Sequence, residues 1–142
     1  MGLPRQVDIG DYTQQGRVLS GTLKSQGLPR VSALLEEPAD RIDFHLEFKR
    51  DERGRRLVHT HVKGMLKLSC QRCGQLMEFP VDQSSILCAI KEDHLAESLP
   101  EPYEPLLTED NFLMPLDLIE EELLLAIPMI PKHEEGKCSL SA

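Results

Sequence analysis

Cys70 and Cys73 stand three positions apart and are followed at once by Gly74, within the run Leu68-Ser69-Cys70-Gln71-Arg72-Cys73-Gly74-Gln75. Two thiols at this spacing form half of a metal knuckle. A tight turn aims backbone N–H groups at thiolate sulfurs, and glycine admits the positive φ that such a turn needs. A structural zinc takes four tetrahedral N or S ligands, commonly supplied as two short-range pairs. His133 and Cys138 offer the second pair, so the candidate set is Cys70, Cys73, His133 and Cys138. The competing chemistry is thiol redox at Cys70 and Cys73. A thioredoxin-like pair sits at a helix N-terminus inside a βαβ unit, where the dipole lowers a thiol pKa. Here the motif falls between strand patterns. Cys88 occupies an apolar alternating position and reads as a core thiol.

Charge supplies the other candidates. Arg50, Arg53, Arg55 and Arg56 cluster around one turn, and Lys63, Lys67 and Arg72 extend the patch along the same hairpin. Guanidinium forks suit phosphate, so these residues are the candidate RNA contacts. The opposing reading is a soluble turn whose charge Asp51 and Glu52 partly offset. It is favoured by an aromatic content of 4%, which leaves few rings to stack unpaired bases. Glu120, Glu121 and Glu122 are candidates for meeting a basic protein. His59 and His61 share a strand face with Lys63 and Lys67, which marks them as solvated rather than metal-binding. No carboxylate pair, nucleophile elbow or phosphate loop occurs, so the expectation is a protein that binds rather than catalyses, with no small-molecule substrate.

These residues need strands to hold them. Ile42, Phe44, Leu46 and Phe48 alternate with Asp43, His45, Glu47 and Lys49, the pattern of a half-buried strand. Asp51-Glu52-Arg53-Gly54 predicts its turn. Val58, Thr60, Val62, Gly64, Leu66 and Leu68 then form the apolar side of a return strand that runs into Cys70. Met77, Phe79 and Val81 resume the alternation, and Ile86, Cys88 and Ile90 give a further strand, so the cysteine turn links consecutive strands. A short strand is expected over Arg17–Lys24, and a helix from Leu28-Pro29 with Val31, Leu34 and Leu35 on one face, ended by Pro38. Residues 1–15 read as loosely held. Residues 92–115, acidic and interrupted by Pro100, Pro102 and Pro105, read as an extended loop in which Tyr103–Leu107 can add an edge strand. Asp117 followed by Glu120 predicts a capping box and a helix from Leu118, stopped by Pro128 and Pro131. The expected fold is α+β, a single domain over residues 1–142 with a mainly antiparallel sheet and one or two packed helices.

Bulk properties agree with one modest core: 142 residues, no tryptophan and a net charge of −8. The charge is unevenly spread. Residues 1–91 hold 14 Lys/Arg against 11 Asp/Glu, and residues 92–142 hold 2 against 13. Such asymmetry suits two partner surfaces and excludes a uniformly basic nucleic-acid binder. The longest apolar run, Leu123 to Ile127, is too short for a bilayer, and no charged segment precedes an apolar stretch at the N-terminus. The expected location is the cytoplasm, away from membranes, where four cysteines favour a metal or reduced thiols over disulfides.

Three segments in this order carry a resemblance: Leu68-Ser69-Cys70-Gln71-Arg72-Cys73-Gly74; Glu101-Pro102-Tyr103-Glu104-Pro105; and Asp117-Leu118-Ile119-Glu120-Glu121-Glu122-Leu123 with Ala126-Ile127-Pro128-Met129-Ile130-Pro131-Lys132-His133. The chain resembles the bacterial YceD family, the large ribosomal RNA subunit accumulation proteins. The resemblance implies a non-enzymatic role in accumulation or processing of large-subunit ribosomal RNA. Its partners would be the RNA precursor, a basic ribosomal protein, or both. The positions it carries over are Cys70, Arg72, Cys73, His133 and Cys138. A thiol redox protein and a zinc-stabilised adaptor touching only protein are the alternatives.

Overall fold

The computed structural model describes residues 3–108, 110–128 and 131. The alternating runs form the strands expected of them: β2 (Val18–Leu23), β3 (Ile42–Arg50), β4 (Arg56–Ser69) and β5 (Leu76–Ile90), after a two-residue β1 (Val7–Asp8). With β6 (Glu104–Leu107) they make a five-stranded sheet in the order β2-β3-β4-β5-β6. All neighbours are antiparallel except the parallel pair β5 and β6. The register sets Phe44 opposite Val62, Leu46 opposite Thr60 and Phe48 opposite Val58, which gathers most of the large apolar residues of the central hairpin on one face, Leu57 and Met65 falling on the other. Ile42, Leu46, Phe48, Val58, Val62 and Leu66 are all fully buried there. The opposite face carries a cross-strand ladder of Asp43, Lys63 and Asp82, with opposite charges directly facing one another. The fold class is therefore α+β, as the sequence implies.

Three helices cover the apolar face. α1 (Ile9–Gln15) is capped by Asp8, whose carboxylate accepts from the N–H of Gly10 at 2.8 Å and of Asp11 at 3.2 Å. Ile9 is buried, and Tyr12 meets Phe48 edge to face with ring centroids 5.1 Å apart. The expectation of a loose residue 1–15 segment is corrected for residues 7–15. Sequence periodicity there is too short to register, but a good cap and two apolar anchors suffice once the sheet supplies a surface. β1 also pairs with β7 (Phe112–Leu113), so the acidic stretch 92–115 holds two short strands as well as loop.

α2 is shorter than the apolar spacing suggests, Pro29–Ser32, with Val31 buried and Leu34 half exposed. The reason lies in β4, which outruns β3. Its unpaired flank near Lys67 is covered by the chain after α2: the N–H of Glu36 donates to the carbonyl of Lys67 at 2.8 Å, and Glu37 bridges to Lys67. That backbone cannot stay helical and serve as a sheet neighbour too.

α3 (Pro115–Ala126) begins three residues before the predicted start, at Pro115, with Met114 as an N-cap that has no side-chain bond. Proline at the first helical position is pre-shaped for a start. The predicted capping box of Asp117 and Glu120 does not form, because Glu120 points elsewhere. One Glu120 oxygen accepts from the N–H of Arg30 at 2.6 Å and of Val31 at 3.0 Å, and the other accepts from Arg30 Nε at 3.1 Å. A side chain of α3 thus caps α2, whose own N-cap, Leu28, has no side-chain bond. Glu120→Ala should leave the backbone N–H groups of Arg30 and Val31, the latter buried, without their acceptor and lower stability by roughly 2–3 kcal/mol in urea unfolding, with Glu120→Gln milder because one acceptor oxygen survives.

Candidate functional site

The cysteine turn joins β4 to β5. It is closed by the N–H of Cys70 donating to Gln75 O at 2.9 Å and that of Gly74 donating to Cys70 O at 2.8 Å. Gly74 has φ 74°, the left-handed conformation that glycine accepts without strain. Cys70 and Cys73 are 1% and 6% exposed and pack with Leu68 and Met77 in a small cluster of their own, flanked by Leu35, Phe79 and Ile127. Gln71 and Arg72, between the thiols, face outward. Strands flank the turn on both sides and no helix follows it, unlike the redox arrangement.

The chain leaving α3 returns to this turn. The N–H of Gln71 donates to the carbonyl of Pro131 at 2.7 Å. His133 and Cys138 lie outside the described residues. Among the described residues, no three His, Cys, Asp or Glu side chains gather as a metal cluster. What is present is a buried pair of thiols in a positive-φ turn, hydrogen-bonded to a residue two positions before His133. The donor chemistry of the sequence-derived set suits zinc.

The arginine cluster is built differently from expectation. Asp51 is its hub, accepting from the N–H of Arg53 and of Arg55 at 2.9 Å each, and from Arg55 Nη1 and the Tyr103 hydroxyl at 3.0 Å each. Burial pushes the Asp51 carboxyl up, but these four donors outweigh it and hold the group at about 2. Arg50 reaches the other way, donating to Thr13 Oγ1 at 3.2 Å and to Gly10 O at 3.0 Å, and so ties β3 to α1. Arg56 donates to Asn111 Oδ1. Lys67 pairs with Glu37 at 3.2 Å. Lys63 sits between Asp43 and Asp82, while Arg53 and Arg72 are exposed. Most of the expected phosphate contacts are thus joints within the fold. A sequence signal existed: an Asp at the first turn position commonly binds its own backbone two residues on.

The three glutamates divide as well. Glu120 and Glu122 are 3% and 2% exposed. Glu120 caps α2, and Glu122 accepts from Thr60 Oγ1 at 2.9 Å across the core. Only Glu121 faces out, and Arg30 holds one of its oxygens at 2.6 Å. The expectation of an acidic helix face is corrected for the two buried members. On the open sheet face, His61 stands opposite His45 and contacts Asp82 at 2.5 Å. Burial, then the Lys49 charge, lowers the pKa of His59, against a smaller pull from Glu47.

The family described as Large ribosomal RNA subunit accumulation protein YceD matches residues 58–142. The chain belongs to the YceD family. A Haemophilus influenzae protein of the same name is 28% identical over 143 residues, covering 99% of this chain and 81% of its own length. No solved structure matches the chain. The YceD match spans β4, the cysteine turn, β5 and α3, the parts that bring the two regions described above together. Among the described residues, no helix is long and apolar enough to cross a membrane.

The hub makes the hairpin acid-sensitive. The Asp51 pKa falls from its ordinary 3.8 to about 2 on folding, so its stabilising effect is complete above about pH 4 and is lost as pH drops through 2. An NMR titration should find the Asp51 carboxyl midpoint near 2, and Asp51→Asn should flatten the stability profile in that window.

Proposed function

We propose that this chain is a non-catalytic cytoplasmic factor that supports accumulation or processing of large-subunit ribosomal RNA by binding a component of the assembling subunit. The observation that carries this reading is membership of a family named for that process. The internal commitment of Arg50, Arg55 and Arg56 favours a protein component over the RNA itself, and the strongly acidic second half of the chain suits a basic one. Arg53, Lys63 and Arg72 are the remaining exposed candidates for RNA. Depletion should lower mature large-subunit RNA relative to small-subunit RNA, measured by gel or sequencing of total RNA. An unchanged ratio in rich medium and under cold stress would overturn the reading.

A structural zinc held by Cys70, Cys73, His133 and Cys138 belongs to the same proposal. It is supported by the thiol turn and by the Gln71–Pro131 hydrogen bond, which ties the chain to that turn shortly before His133. When bound, such an ion supplies folding free energy and no reaction. Elemental mass spectrometry of natively purified protein should find about one zinc per chain, reduced in Cys73→Ser. Metal-free protein with a reversible Cys70–Cys73 disulfide and an unchanged fold would favour the redox alternative instead.

A further inference from the structure

A groove runs between β6, β7 and the first turn of α3, and nothing described above uses it. Its floor exposes Leu107, Phe112 and Met114 at 45%, 46% and 44%, a concentration of large apolar side chains that soluble surfaces seldom carry unassigned. Asp110 and Asp117, both exposed, stand on its rim beside Glu121.

We propose that this groove docks a short lysine- or arginine-rich segment of a partner protein that carries large apolar side chains. The apolar floor takes the anchors and the acidic rim takes the flanking cations. Charge chooses this occupant over the others. RNA phosphates meet carboxylates at the rim, and a second copy of a chain with net charge −8 brings the same sign. The inference deepens the reading that this chain binds a basic protein, and it reassigns the contact from the Glu120–Glu122 run to the groove.

The test is a fluorescence anisotropy titration of the full chain with a short labelled peptide in which lysines flank leucine and phenylalanine. Three further arms use the same peptide with serine at the apolar positions, a single-stranded RNA of equal length, and added salt. The lysine–leucine–phenylalanine peptide should bind, weaken with salt, and lose about tenfold in affinity in Met114→Ser and in Asp117→Lys. Serine at the Met114 N-cap strengthens a helix start, so weakened binding there is separable from unfolding. Equal binding of the serine peptide would reduce the effect to charge and overturn the proposal. So would RNA binding that the same variants abolish, or peptide binding that no variant changes. Because the readout is direct, the groove can fail while the RNA ratio still falls on depletion, and the converse also holds.

Discussion

The buried carboxylate of Glu120 is the contact on which the helical layer depends. α2 is four residues long, begins with a proline and has no cap of its own, so it has no claim to stability in isolation. It persists because Glu120 accepts from the N–H groups of Arg30 and Val31. The same residue sits in the middle of α3, whose next inward carboxylate, Glu122, bonds Thr60 on β4. Both helices and the sheet are therefore fixed by acids that a sequence reader assigns to solvent. A buried carboxylate that has lost its donors is far more costly than a missing methyl group, so these contacts select one docking of α3 rather than merely adding to cohesion.

Charge in this chain has been sorted by function within the fold, and the sorting inverts the obvious reading. The arginine-rich turn is engaged from within: Asp51 pairs with Arg55 and accepts from Tyr103, and Asn111 takes Arg56. On the open sheet face Lys63 stands between Asp43 and Asp82, and Lys67 pairs with Glu37. What remains unbalanced is acidic and lies along residues 92–117, where few basic side chains are present. A surface of that sign attracts cationic segments and repels nucleic-acid backbone. The partner proposed for this chain is accordingly a basic protein rather than RNA.

The sheet was legible from the residues alone because alternation is a local signal: Ile42 to Phe48 and Val58 to Leu68 announce face, register and turn. The cysteine turn was legible for the same reason, as an interruption between two alternating runs. What escaped is every feature set by a distant partner. Ser32 ends α2 because Glu36 is needed at the flank of β4, thirty residues away in sequence. The capping box expected of Asp117 and Glu120 fails because Glu120 is recruited by α2. α1 was missed because its support, Phe48 and the Arg50 side chain, lies on another element. The buried glutamates and the acidic groove follow the same rule, since neither burial nor concavity is written in spacing.

α3 is the one element that touches both regions of interest. Its first turn walls the acidic groove, and Leu124 and Ile127 near its other end lie beside Leu68 and Gln71 at the cysteine turn. Twelve helical residues span about 18 Å, a distance over which coupling between sites is often invoked. Coupling requires an element with two arrangements of similar free energy. Glu120 and Glu122 grip the middle of this helix from two directions, and each alternative position of α3 would strand a buried carboxylate. The helix is therefore a fixed strut. The cysteine turn and the groove are thus independent features of one rigid scaffold.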